Sequence, residues 1–133
     1  MVIWTKLASD PLELGGSGID PEPILVKWEV SEDEAFTKVV QQGSEVAGPQ
    51  LGHSVHVELR GLDSHRWYFF RFHAGSEVSP VGRTRTAPAL DVMPEKIKFA
   101  FTSCQHLESG YFNGYPHMPV SYTHLTLPTI LRV

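Results

Sequence analysis

"GLDSHRWYFFRFHAGSEVSPVGRTRT", residues 61–86, decides the fold. Within it, Tyr68, Phe70 and Phe72 fall on one side of an extended run while Trp67, Phe69 and Arg71 fall on the other, because residues two apart share a strand face. Leu62, followed six residues later by Tyr68 at the head of that run, is similar to the tyrosine corner of immunoglobulin-like and fibronectin type III sandwiches. "VGRTRT" (81–86) then reads as the last strand of such a domain.

Working outward, the same period of two recurs. In "ILVKWEV" (24–30), Ile24, Val26, Trp28 and Val30 share a side, and in "SVHVEL" (54–59) Val55, Val57 and Leu59 do so while Ser54, His56 and Glu58 face the other way. Gly-, Pro- and Ser-rich turns separate these runs at 13–23, 41–53, 60–65 and 73–80. Short strands so closely spaced predict an all-β, antiparallel sandwich rather than a helical bundle. The one helical candidate is "SEDEAFTKVV" (31–40), where Ser31 and Glu34 have capping-box spacing; it reads as a single turn entering a strand. Trp4, Trp28 and Trp67 are expected in the core or between the sheets.

After Thr86 the texture changes. "APALDVMPE" (87–95) contains Pro88 and Pro94 with little periodicity and reads as a linker over 88–95. "KIKFAFTSC" (96–104) follows, with Ile97, Phe99 and Phe101 alternating before the run turns small and polar. That is the form of the first strand of an α/β domain, whose ligands bind at the carboxyl ends of strands, and Cys104 stands at that end.

With 133 residues the chain has the length of one ordinary domain. Eleven Lys and Arg against fifteen Asp and Glu give a net charge of -4, and the basic residues are scattered, which disfavours nucleic-acid binding. "MVIWTKLASDPLEL" (1–14) has neither the pattern of a signal peptide nor the apolar length of a membrane span. Cys104, the single cysteine, has no partner for an internal disulfide; it is a packed apolar residue, a metal ligand or a reactive thiol. A thiol enzyme would need a base beside Cys104 and a lowered thiol pKa, and no partner stands out.

Among the histidines, His53 and His56 are three apart and face opposite ways on a strand, which spoils joint ligation. His106 lies two residues past Cys104 without an assigned role. "GGSG" (15–18) lacks the Gly-Lys-Ser/Thr end of a phosphate-binding loop and reads as a flexible loop, and "SEDE" (31–34) reads as a solvated turn rather than a calcium site.

The segments "VIWTKLASDP", "VKWEVSEDEAF", "GLDSHRWYFFRFHAGSEVSPVGRTRTAP" and "KFAFTSCQHLESGYFNGY", in that order from Val2 to Met118, resemble the PhoD-like alkaline phosphatase family. The resemblance implies an N-terminal immunoglobulin-like β-sandwich followed by an α/β metallophosphoesterase domain. It also implies a secreted, periplasmic or cell-surface hydrolase of phosphate esters that uses iron and calcium. Cys104 matches the family's iron-ligating cysteine. The remaining ligands of that family come from an Asp-x-x-Tyr motif and later Asp, Asn and His residues, downstream of anything matched here.

Past Met118 the sequence departs from the family. The eleven residues "PVSYTHLTLPT" (119–129) resemble the read-through translation of the transposase adapter used in sequencing libraries. The expectation is therefore an N-terminal fragment: a sandwich over 1–87 lacking its first strand, a linker over 88–95, the start of a truncated catalytic domain over 96–118, and a non-native tail over 119–133. Such a piece should be monomeric, hold neither metal stably, show no phosphatase activity, and expose a sheet edge where a strand is missing. The alternative is a stand-alone immunoglobulin-like binding or interaction module.

Overall fold

In a computed structural model the described residues are 1–9, 18–19, 21–96 and, as backbone, 129–132. Among the described residues eight strands make two sheets: β1 (Val2–Ala8), β2 (Ile24–Ser31), β3 (Val39–Ala47), β4 (Ser54–Glu58), β5 (Trp67–Ala74), β6 (Glu77–Val78), β7 (Gly82–Arg85) and β8 (Thr129–Arg132). One sheet runs β4-β1-β8; the other runs β3-β2-β5-β6, with β7 also paired to β5. All pairings are antiparallel except β1 with β8. This is the predicted sandwich.

The alternation in β5 is complete. Tyr68, Phe70, Phe72 and Ala74 are buried, whereas Trp67, Phe69, Arg71 and His73 are only partly so. Val26 and Val30 of β2 meet them from the neighbouring strand, and Ile3, Leu7, Val55 and Val57 close the core from the opposite sheet. Phe70 and Phe72 pack edge to face, 6.0 Å between centroids at 79°. Burying such rings supplies most of the driving force for the two sheets to associate.

The tyrosine corner is present. Tyr68 is 2% exposed, and its hydroxyl accepts a hydrogen bond from the backbone N–H of Asp63 at 3.0 Å. That bond fixes where the chain turns into β5. Thr86 then ties the end of the sandwich to the same corner: its Oγ1 donates to the carbonyl of Asp63 at 2.6 Å and accepts from the N–H of Arg66 at 2.9 Å. The N–H of His65 donates to Ala87 O at 3.0 Å.

Three expectations need correction. Residues 41–53 are not simply a turn, because Val39–Ala47 forms β3, paired over nearly its whole length with β2. As an edge strand β3 is mostly exposed, so it shows no alternation, and Gly43 is there because a Cβ would run into the Trp28 indole at 2.5 Å. Second, Trp4 and Trp67 are not core residues. Trp4 lies between buried Ile3 and Thr5, and Trp67 precedes buried Tyr68 in its strand, so both point outward, Trp4 stacking on His56 at 5.8 Å; of the three, Trp28 packs against the core.

The third concerns the edge. The outer edge of β1 is covered over Thr5–Ala8 by Thr129–Arg132 in parallel register. Backbone edge groups accept any extended segment, so this pairing carries no information on the origin of residues 119–133.

Residues 32–38 make the predicted turn entering a strand, ahead of β3, and the loop is organised by Asp33 rather than by a Ser31–Glu34 capping box. Its carboxylate accepts from the N–H of Thr37 at 3.1 Å, the N–H of Lys38 at 2.8 Å, Ser31 Oγ at 3.0 Å and Thr37 Oγ1 at 3.1 Å. Thr37's N–H chiefly, against a smaller opposing desolvation and helped by Lys38, Ser31 and the Thr37 hydroxyl, holds the Asp33 pKa at about 2, below the usual 3.8. A depressed carboxylate stabilises the fold fully above its unfolded pKa, and that contribution is lost as pH falls through 3.8 towards 2. Asp33→Asn should therefore lower the urea midpoint at neutral pH and converge with the wild type near pH 2. A midpoint difference that is the same at both pH values would contradict this account.

Candidate functional site

Cys104, the sequence-predicted metal ligand, lies outside the described residues, as do His106 and the strand predicted to lead to them. What can be built from the described side chains is the outer face of the larger sheet and the end of the sandwich from which the linker leaves.

On that outer face, Glu29 of β2 sits opposite Arg71 of β5 and beside His73. Arg71 Nε donates to Glu29 Oε2 at 2.7 Å, and His73 Nε2 lies 3.3 Å from the same oxygen. The hydrogen bond from Arg71 chiefly, opposed by partial desolvation and aided by His73, lowers the Glu29 pKa. Glu29 is thus a fixed acceptor, a poor general base at neutral pH. The Arg71 guanidinium also covers the Phe36 ring at 4.0 Å, which ties the Asp33 loop to the sheet.

At the start of β5, Trp67 carries two arginines from β7. Arg83 lies 4.5 Å and Arg85 5.5 Å from its ring centroid. The arrangement follows from sequence: in Arg83-Thr84-Arg85 the middle residue is buried, so both arginines point outward beside Trp67. The sequence reading missed this group, although the alternation in "GRTR" beside an outward Trp was the available signal. An Arg85 guanidinium nitrogen lies 2.7 Å from His65 Nε2. Arg85, His65 and Ser64 line one side of a cleft of about 520 Å³, and Pro88, Val92 and Pro94 of the linker line the other.

The histidines weighed for metal binding are indeed separated. His53 is 3% exposed, and its Nε2 meets Glu22 O at 3.2 Å, whereas His56 stacks on Trp4. No group of three His, Cys, Asp or Glu side chains able to hold a metal is found among the described residues. The buried hydroxyl of Ser79 accepts from Phe72 N–H at 3.0 Å and donates to Pro80 O at 2.9 Å, so it is a structural hydroxyl and not a nucleophile paired with a base. The chemistry available on the described residues is binding and positioning.

Residues 1–88 match the family model described as "PhoD-like phosphatase, N-terminal domain". The chain is 49% identical over 118 residues to alkaline phosphatase D of Bacillus subtilis (strain 168), which amounts to 89% of this chain and 20% of that protein. A solved structure of PhoD superimposes with a TM-score of 0.82 at 50% identity, covering 88% of this chain and 22% of that one. The chain thus spans about a fifth of the length of the relatives it matches.

Proposed function

The chain belongs to the PhoD-like phosphatases through their N-terminal domain, and from that premise we propose that it is the amino-terminal part of a secreted, metal-dependent hydrolase of phosphate esters. The sandwich serves as a rigid support, and the chemistry resides in the portion that follows it. One observation carries this reading. A 118-residue stretch of a 133-residue chain contains position 104 wherever it begins, so the similarity to alkaline phosphatase D runs past the sandwich and through Cys104.

In this reading Cys104 is a thiolate ligand of iron, with calcium as the second ion. A soft, anionic sulfur suits iron, and the end of a strand directs it well. When bound, such ions polarise phosphoryl oxygens and lower the pKa of water. No group of His, Cys, Asp or Glu among the described residues fits a metal site, and in this reading the remaining ligands come from the family's downstream motifs. What this chain does itself is hold the exit of the sandwich. The bonds of Thr86 and His65 to the tyrosine corner set the direction in which residues 88–96 leave, and hence where the catalytic portion starts.

The test is a graft in which residues 1–118 of this chain replace the aligned stretch of the Bacillus subtilis protein. The graft should turn over p-nitrophenyl phosphate with iron and calcium present, and the 133-residue chain should not. An inactive graft that folds normally would overturn the assignment.

A further inference from the structure

Charge is divided unevenly between the two sides of the larger sheet. Lys27 lies between Val26 and Trp28, both turned to the core, and so points outward with Arg71, Arg83 and Arg85. Glu29 is the one acidic side chain of β2, β3, β5, β6 and β7 that shares this face. Glu45 and Glu77 stand opposite Val26 and the buried Ala74, so the pleat turns them to the other side. Four cations thus share the face with one carboxylate, in a chain whose net charge is -4. The cations are scattered along the sequence, and the strand registers gather them.

Arg71 is matched by Glu29, so the unbalanced charge is that of Lys27, Arg83 and Arg85. In the bordering loops, Glu32 and Asp63 are held by Arg66 at 2.8 and 2.9 Å, and Asp33 is taken up by its own loop. Lys27 and Arg83 are exposed and offer the accessible groups, whereas Arg85, with its Nη2 against His65, contributes charge more than contact. Lys27 is level with His73 and Arg83 with Phe69, two strands across. Four residues along and two strands across make a diagonal of about 16 Å between them. No single small anion reaches both ends, but a linear polyanion does.

We propose that the outer face of the larger sheet binds a linear phosphate polymer without bases, held along the diagonal from Lys27 to Arg83. Charge complementarity selects a polyanion, and the length of the diagonal selects a chain. Polyphosphate carries its charge in the backbone, so it meets these cations without ordering side chains as a carboxylate polymer must. Bases are disfavoured because the rings on which they would stack already lie under guanidiniums, Trp67 under Arg83 and Arg85 and Phe36 under Arg71. The claim stands on the charge of this face and does not need the hydrolase reading.

The probe is long-chain inorganic polyphosphate, titrated against the 133-residue chain with a chelator present so that binding and not turnover is read. Binding should saturate and weaken steeply as salt rises. Lys27→Glu and Arg83→Glu should each weaken it at least about tenfold, with the fold of each variant checked by circular dichroism. Arg60→Glu makes the same change of charge in the loop after β4, at a side chain 81% exposed, and should alter affinity less than about twofold.

Absence of binding, or an equal loss in Arg60→Glu, would overturn the proposal. So would tighter binding of oligothymidylate, which would give the face to a nucleic acid, and equal binding of polyglutamate, which would reduce it to general charge attraction. Should the 133-residue chain not fold, the same variants in the graft carry the comparison. Binding by the chain that the graft lacks would show the face covered in the longer protein and overturn its role there.

Discussion

Phe70→Ala is expected to destabilise the sandwich by about 3–5 kcal/mol, a large fraction of what holds a domain of this size together. Phe70 is 1% exposed, lies opposite Val30 on β2 and packs edge to face against Phe72. On its other side it covers Gly82 of β7, where a Cβ would collide with the ring. Truncation therefore opens a cavity that the neighbours cannot fill, since Gly82 has no side chain to move into it. The cost should approach the upper part of the range for that reason.

Phe69→Ala is the matched control, because that ring lies on the outer, partly exposed face of the same strand. Urea unfolding of both variants, followed by tryptophan fluorescence, measures the difference. A loss below about 1 kcal/mol for Phe70→Ala, a value typical of surface changes, would mean that the core is not centred on β5.

The second large effect concerns Cys104. In the graft, Cys104→Ser should abolish stoichiometric iron binding and lower turnover of p-nitrophenyl phosphate at least about 100-fold, the upper range seen even when an outer partner of a metal is removed. Serine offers a hard oxygen that stays protonated where the thiol ionises, so it does not replace the ligand. Iron content measured on purified protein gives a reading independent of activity. Retention of both metal and turnover by Cys104→Ser would remove Cys104 from the site. Loss of turnover with full iron content, in an enzyme insensitive to chelation, would favour a thiol nucleophile.

Most of the sandwich could be read from its buried strands. In β5 and β4 each second residue is apolar because one face of each strand meets the core, and the Leu62-to-Tyr68 spacing named the corner that the Asp63–Tyr68 hydrogen bond then displays. Edge and loop positions were harder. β3 hides its strand character because neither face is well buried, and its Gly43 reads as a turn residue until the Trp28 ring beside it is seen. Ser31 and Glu34 imitate a helix cap, but Asp33 between them gathers the local donors, and local spacing cannot say which acidic residue wins that competition.

The outward tryptophans show the same limit from the other side. A large aromatic at alternate positions predicts burial by composition, yet its phase within the strand places it outside, where Arg83 and Arg85 cover it. Cys104 was legible only through the resemblance of the motif around it. A single thiol has no spacing pattern of its own from which a ligand set could be inferred.

On the proposed function, this chain is the supporting sandwich of a phosphate-ester hydrolase whose catalytic centre is completed by residues outside it. The most direct test is turnover of p-nitrophenyl phosphate by the purified 133-residue chain, with iron and calcium present, beside its Cys104→Ala variant and the active graft. Turnover by the graft alone, with the chain and its variant both at background, is the predicted result. Turnover by the chain itself that Cys104→Ala removes would show a working site within these residues and contradict the account.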